Sequence, residues 1–221
     1  MIGLIVIDMI NAFVEDESPL RVEGAKATVP TIKKAIDACR EHDVKVFFIT
    51  RGYRADGSDV EIARWKYWVK NNRPLTIGRT GKLSGEFYGP LKPQEGDYVI
   101  LKKKWSAFFR TELDLLLRRL RIDTVVLCGT QIPDCVRATA FEADENDFEV
   151  LLLSDATSSK HTDIQESNLR DLRDAGFQVM PTAEFIKNIE ELNSRKSSVE
   201  QLREYIETNS KKPKNRVTSG A

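Results

Sequence analysis

The chain has 221 residues, 41% of them hydrophobic and 31% charged, which is material for a packed core and leaves no case for long-range disorder. Its 34 basic and 34 acidic residues give a formal net charge of zero. That balance argues against a protein built to coat nucleic acid or an anionic membrane.

Ile2–Ile7 is a continuous apolar run and predicts a strand buried on both faces. Residues 26–42 place Val29, Ile32, Ile36 and Cys39 three and four apart, the spacing of a helix. Val44–Thr50 and Asp97–Leu101 predict the next two strands. Thr111–Leu120 predicts a helix with Thr111 as N-cap. Then follow a strand at Thr124–Cys128, a helix at Val136–Asn146 and a strand at Glu149–Leu153. Gln165–Ala175 is a helix stopped by Gly176, Phe177–Met180 a sixth strand, and Ala183–Leu192 a last helix capped by Thr182. This alternation demands parallel strands with helices on both faces. It predicts an α/β fold, a three-layer α/β/α sandwich around a mostly parallel six-stranded sheet. Ligand sites in such sheets lie at the carboxyl ends of the strands.

Two stretches break the alternation. Residues 52–96 form a long connection rich in Arg, Gly and Trp, with one helix-like piece at Val60–Lys70; such segments are usually functional. Residues 194–221 follow the last α/β unit and carry seven basic and three acidic residues. The division is one domain over 1–193 and an extension over 194–221, helical near Val199–Ile206 and basic and flexible from Lys211. No apolar run reaches the ~20 residues of a membrane span, and Ile2–Ile7 ends at Asp8 without the flanks of a signal peptide. Three cysteines, Cys39, Cys128 and Cys135, do not make a disulfide framework. The expected location is cytoplasmic, with no membrane and no nucleic-acid partner. Two histidines, His42 and His161, leave little for a His-based triad or metal site.

Three residues stand at strand ends. Asp8 follows the first apolar run; a carboxylate there caps a turn, pairs with a cation or does chemistry. Lys102 opens Lys102-Lys103-Lys104 after the third strand. Lysine runs are commonly solvated, yet one of the three must point to the sheet end, where an ammonium would keep a carboxylate ionised. Cys135 opens the helix after the fourth strand, where the positive helix end favours thiolate; the alternative is an inert buried thiol. Together they supply an acid, a cation and a nucleophile at the edge of one sheet.

Longer motifs surround these residues. Ile5-Val6-Ile7-Asp8-Met9-Ile10-Asn11-Ala12-Phe13, Lys102-Lys103-Lys104-Trp105-Ser106-Ala107-Phe108 and Gly129-Thr130-Gln131-Ile132-Pro133-Asp134-Cys135-Val136-Arg137-Ala138-Thr139-Ala140 follow in order, with Leu153-Ser154-Asp155-Ala156 behind them. The set resembles the isochorismatase-like cysteine hydrolases, the superfamily of nicotinamidases, N-carbamoylsarcosine amidohydrolase and ureidoacrylate amidohydrolase, over about residues 2–186. The resemblance implies a hydrolase cleaving an amide, carbamoyl or ureido C–N bond of a small molecule through a thioester. It makes Asp8 the proton carrier, Lys102 its orienting cation and Cys135 the nucleophile. It places a cis peptide at Thr130–Gln131, with the Gln131 and Cys135 N–H groups as oxyanion hole. Phe13, Trp105 and Ile132 would line the substrate pocket, with Asn11 near the first-strand end. A homo-oligomer, dimer or tetramer, is a further family expectation.

The sequence also departs from that pattern. Ile10 stands where the family has glutamine. The metal-binding histidines of nicotinamidases have no counterpart in Thr50-Arg51-Gly52-Tyr53-Arg54-Ala55-Asp56, so no metal and no cofactor is expected. Cys135 disfavours the alternative of an enol-ether hydrolase of the isochorismatase type. A third alternative is a non-catalytic scaffold using the basic tail. Arg51, Arg54, Arg64, Arg73 and Arg79, with Trp65 and Trp68, leave substrate binding by the 52–96 segment open; arginines there would grip a carboxylate. They serve equally as solvated side chains or subunit contacts.

Overall fold

Why the strands stack as they do follows from their composition. β1 (Ile2–Ile7) and β4 (Thr124–Thr130) are buried at every position, as central strands covered on both faces must be. β3 (Tyr98–Lys102) leaves Val99 and Leu101 exposed and lies at an edge. β2 (Lys45–Arg51), β5 (Glu149–Ser158) and β6 (Gln178–Met180) complete a six-stranded sheet of order β3-β2-β1-β4-β5-β6, with every pair parallel. The computed structural model describes residues 1–210.

Alternate residues of β1 feed two separate cores. Leu4 and Val6 pack with Ile32, Ile36 and Cys39 of α2 (Ala25–Glu41) on one face, together with Phe185, Ile189 and Leu192. Ile5 and Ile7 pack on the other with Leu113 and Leu117 of α4 (Leu113–Arg119), Ala140 of α5 (Arg137–Glu145) and Leu169 and Leu172 of α6 (Thr162–Asp174). Each fully buried Leu or Ile contributes about 1.5–3 kcal/mol of transfer free energy, so the strand's period of two binds both helical layers to one sheet.

Differences from the sequence reading are local. β5 runs on to Ser158, past the end of its apolar run, by way of a shift in its pairing with β4 between Leu127 and Gly129. Asp155, in the irregular stretch, accepts hydrogen bonds of 2.7 Å from the Thr182 N–H and hydroxyl. Thr182 is therefore held through Asp155, and Pro181 is the N-cap. The last helix divides at Asn188 into α7 (Thr182–Lys187) and α8 (Ile189–Ser194). In the long connection only α3 (Trp65–Lys70) is α-helical, with a 3-10 turn at Gly81–Leu83. A short α1 (Asn11–Val14) follows β1. Past α8, Arg195 Nη2 and the Ser198 N–H reach Glu149 at 2.6 and 3.0 Å, anchoring the start of α9 (Ser198–Ser210). The basic stretch from Lys211 lies outside the described residues. Among the described residues no helix is long and apolar enough to cross a membrane.

Candidate active site

The strand order reverses between β1 and β4, and in open parallel sheets the crevice at such a reversal, beyond the carboxyl ends, takes the ligand. Asp8 follows β1 with φ of 52°, in the left-handed region that Asp tolerates better than most residues. Its N–H donates to Ile49 O at 3.0 Å and its carbonyl accepts from Ile10 N–H at 2.8 Å, so backbone bonds hold the turn. Lys102 closes β3. Its Nζ lies 2.7 Å from Asp8 Oδ2, and neither side chain has any solvent exposure. The ammonium also donates to the carbonyls of Trp105 (2.8 Å) and Lys104 (3.3 Å), using its remaining protons. The other two lysines point elsewhere. Lys103 Nζ donates to Gly52 O at 2.8 Å and Lys104 Nζ to Asp59 O at 2.9 Å, tying down the long connection.

Cys135 comes from β4. At Gly129 (φ 107°) the strand passes so close to β1 that a Cβ would lie 2.1 Å from Ile7 O. The Thr130–Gln131 peptide bond is cis. A π-helical turn, Ile132–Val136, then carries Cys135 into α5. One turn on, the Thr139 hydroxyl donates to Cys135 O at 2.7 Å and accepts the Ala107 N–H at 3.0 Å. Thr139 thus couples the nucleophile turn to the Trp105-Ser106-Ala107 loop. Burial pushes the Cys135 thiol above its usual range; Lys102 pulls it down, Asp8 pushes it up by charge and as acceptor of the thiol's hydrogen bond, and Arg51 pulls it down. Cys39 and Cys128 are also pushed up by burial, and neither faces the cavity in front of Cys135.

That cavity has a volume of about 330 Å³, the lower end of the range for small-molecule sites. Phe13 and Trp105 line it, as do Thr130, Gln131 and Asp134 near Cys135 in the chain and Leu20, Val22 and Tyr67. Three cations, Arg51, Arg64 and Lys160, face it against one carboxylate, Asp134, which is hydrogen-bonded by the Gln131 amide. Of the arginines in play from sequence, Arg51 and Arg64 line the cavity while Arg54, Arg73 and Arg79 do not. Trp65 is half exposed, and Trp68 is buried with its indole N–H on Pro74 O at 2.7 Å.

Two expected pocket residues stand outside it. Ile132 is fully buried in the α4/α5-side core, where an apolar side chain is better placed than in a charged crevice. Asn11 opens α1 and its amide donates to Ser84 Oγ (3.3 Å) and Glu86 Oε2 (3.4 Å), bracing the 52–96 connection. Sequence reasoning missed Leu20, Val22, Tyr67 and Lys160, which loops and α3 bring in without any period to mark them. It also missed Glu61, whose carboxylate pairs with Arg51 Nη2 and accepts from Tyr53 OH at 2.6 Å. Among the described residues no group of three or more His, Cys, Asp or Glu is arranged to hold a metal ion.

Comparisons with known proteins bear on the family and the fold. Residues 3–184 match the isochorismatase domain family. A protein of Arabidopsis thaliana described as a probable inactive nicotinamidase is 32% identical over 178 residues, 80% of this chain and 90% of that one. A ureidoacrylate amidohydrolase of Agrobacterium fabrum is 29% identical over 70% of this chain and 75% of its own length. Among solved structures, an isochorismatase family protein of Desulfovibrio vulgaris superposes with a TM-score of 0.80 at 36% identity, covering 88% of this chain and 98% of that one. An N-carbamoylsarcosine amidase of Thermoplasma acidophilum gives 0.68 at 28% identity, covering 82% and 96%.

Proposed function

The chain belongs to the isochorismatase family, and from that premise we propose that it is a cysteine amidohydrolase cleaving an amide, carbamoyl or ureido C–N bond of a small molecule. The observation that carries the proposal is the buried meeting of Asp8, Lys102 and Cys135 beneath a cavity that only a small molecule fits. The Lys102 ammonium fixes the Asp8 carboxylate 2.7 Å away, where it can serve as acceptor for the thiol proton.

In the proposed cycle the thiol proton passes to Asp8 and the sulfur attacks the substrate carbonyl carbon. The tetrahedral oxyanion is bound by the N–H groups of Gln131 and Cys135; one such donor contributes about 2.7–4 kcal/mol in other enzymes. Asp8 returns its proton to the departing nitrogen as the C–N bond breaks, leaving a thioester on Cys135. Water, losing a proton to Asp8, then attacks the thioester. The acid departs and the thiol regains its proton.

The cavity charge bears on the substrate. Arg64, stacked over Trp105 with its Cζ 4.8 Å from the ring centroid, and Lys160 have no carboxylate partner among the described ion pairs. A substrate carrying a carboxylate would meet both. The relatives named for ureidoacrylate and N-carbamoylsarcosine support a non-peptide C–N bond as target. A homo-oligomer belongs to the same proposal, with exposed Ile62, Trp65 and Phe109 offering apolar contact surface.

A panel of small amides, carbamoyl amines and ureides, with and without a carboxylate, tests the reading through released ammonia. Turnover by the wild type that is lost in Cys135→Ala supports it. Turnover that survives Cys135→Ala contradicts it, and an enol-ether substrate cleaved without Cys135 would replace it.

A further inference from the structure

Among the described residues Arg51 is the largest side chain with almost no exposure. It ends β2 and stands in register with Lys102 on β3, so two cations leave adjacent strands at the same level of the sheet. Burying a guanidinium is costly unless its charge and its donors are used. Part of that need is met by Glu61, which takes Nη2 and is itself steadied by Tyr53 OH. The guanidinium carbon stacks 5.0 Å from the Trp105 ring centroid, which fixes its plane. Those contacts leave Nη1 free to aim at the nucleophile, where it donates to Cys135 Sγ at 3.7 Å. Nε is buried without a partner, so the group retains unused donor capacity on a cavity wall.

Resting on the cysteine-hydrolase reading above, we propose that Arg51 is a further catalytic residue: a second buried cation that shares the Cys135 thiolate with Lys102 once Asp8 has taken the thiol proton. A second cation leaves the charge balance intact because Glu61 accompanies it. Before transfer the centre holds two ion pairs, Asp8 with Lys102 and Glu61 with Arg51, around a neutral thiol. After transfer Asp8 is neutral and the thiolate faces Lys102 and Arg51, with Glu61 balancing the second cation. Net charge is zero in both states, so the proton moves without creating an uncompensated charge in a buried site. Without Arg51 the thiolate and Glu61 would face Lys102 alone. The other ionisable groups of the cavity, Asp134 beside Cys135 in the chain and Arg64 and Lys160 on the lining, make no contact of this kind with Sγ.

The test is the pH dependence of Cys135 alkylation by iodoacetamide, followed by peptide mass spectrometry so that Cys39 and Cys128 serve as internal references. Arg51→Met should move the midpoint of Cys135 labelling upward by at least about one pH unit, and Arg51→Lys should fall between it and the wild type. Arg51→Met strands Glu61, so Arg51→Met/Glu61→Gln, which removes the whole pair, provides a variant better able to fold; its midpoint should also rise. A folded variant of either kind with the wild-type midpoint overturns the role of Arg51. A wild-type Cys135 labelled no faster than Cys39 and Cys128 contradicts the underlying nucleophile reading instead, so the two failures are distinct.

Discussion

Lys102 Nζ lies 2.7 Å from Asp8 Oδ2 with both side chains sealed from solvent, although 93 residues separate them in the chain. A pair in that setting is weak evidence of stability. Its Coulombic gain is offset by the desolvation of two charges, and proteins often tolerate its replacement by apolar groups. What it does supply is a carboxylate of fixed position beside Cys135. Stability and chemistry therefore make separable demands on these two residues.

Breaking the pair from one side should be costly. Asp8→Asn leaves the Lys102 ammonium uncompensated, and we expect about 3–5 kcal/mol lost in urea unfolding. Asp8→Asn combined with Lys102→Met should recover much of that stability while activity stays absent. If the double variant were as unstable as the single one, the pair would be a structural element first.

Thr139→Val tests how the nucleophile turn is held. It keeps the shape but strips two buried hydrogen bonds, to Cys135 O and from Ala107 N–H. Stability should fall by about 1–3 kcal/mol and kcat by about 10–100-fold through misplacement of the sulfur. Thr139→Ser, which retains the hydroxyl, should restore most of both. Unchanged kcat in a destabilised Thr139→Val protein would show that the turn holds its geometry without this bond.

Two glycines with positive φ should respond differently to alanine. At Gly129 the new Cβ would lie 2.1 Å from Ile7 O, and neither strand can move without parting from the other. We expect a loss above about 2 kcal/mol, or failure to fold. At Gly176 (φ 99°) nothing lies within 4 Å, so only the conformational penalty of about 1 kcal/mol remains. Thermal melting of the two variants checks the order.

The buried thiols set a sign for alkaline stability. Burial raises the folded-state pKa of Cys39 and Cys128 above the unfolded value of about 8.5. The native chain then holds protons that the unfolded chain releases. Their contribution is fully present below that unfolded value and is lost as pH rises from it toward the folded pKa. Unfolding free energy should therefore fall from about pH 8.5 upward, and the fall should be shallower in Cys39→Ala/Cys128→Ala. Equal slopes in the two proteins would contradict this source.

Much of the scaffold was legible because its signals are repetitive. β1, β2 and β4 are dense apolar runs, and α2 repeats apolar residues at three and four, so burial on a fixed face announces itself. Strand ends follow from strands, and Asp8, Lys102 and Cys135 could be marked on that ground before the motifs were considered. What escaped was carried by irregular chain. The Arg51–Glu61 pair spans a connection whose course no periodicity describes, and Lys160 joins the cavity only because β5 continues past its apolar stretch. The helix break at Asn188 follows no Gly or Pro signal in the sequence. The family resemblance implies pocket positions for Ile132 and Asn11, but one side chain turns into the core and the other to Ser84 and Glu86. Proximity along a chain does not fix side-chain direction across a turn.

The central claim is that Cys135 becomes acylated during turnover. Acid quenching of the enzyme with whichever panel substrate it hydrolyses, followed by intact and peptide mass spectrometry, tests it directly. The account predicts an acyl group on Cys135, none on Cys39 or Cys128, and a fall in activity of more than about 10⁴-fold in Cys135→Ala. Steady turnover with no adduct on Cys135 and activity retained by Cys135→Ala would contradict it.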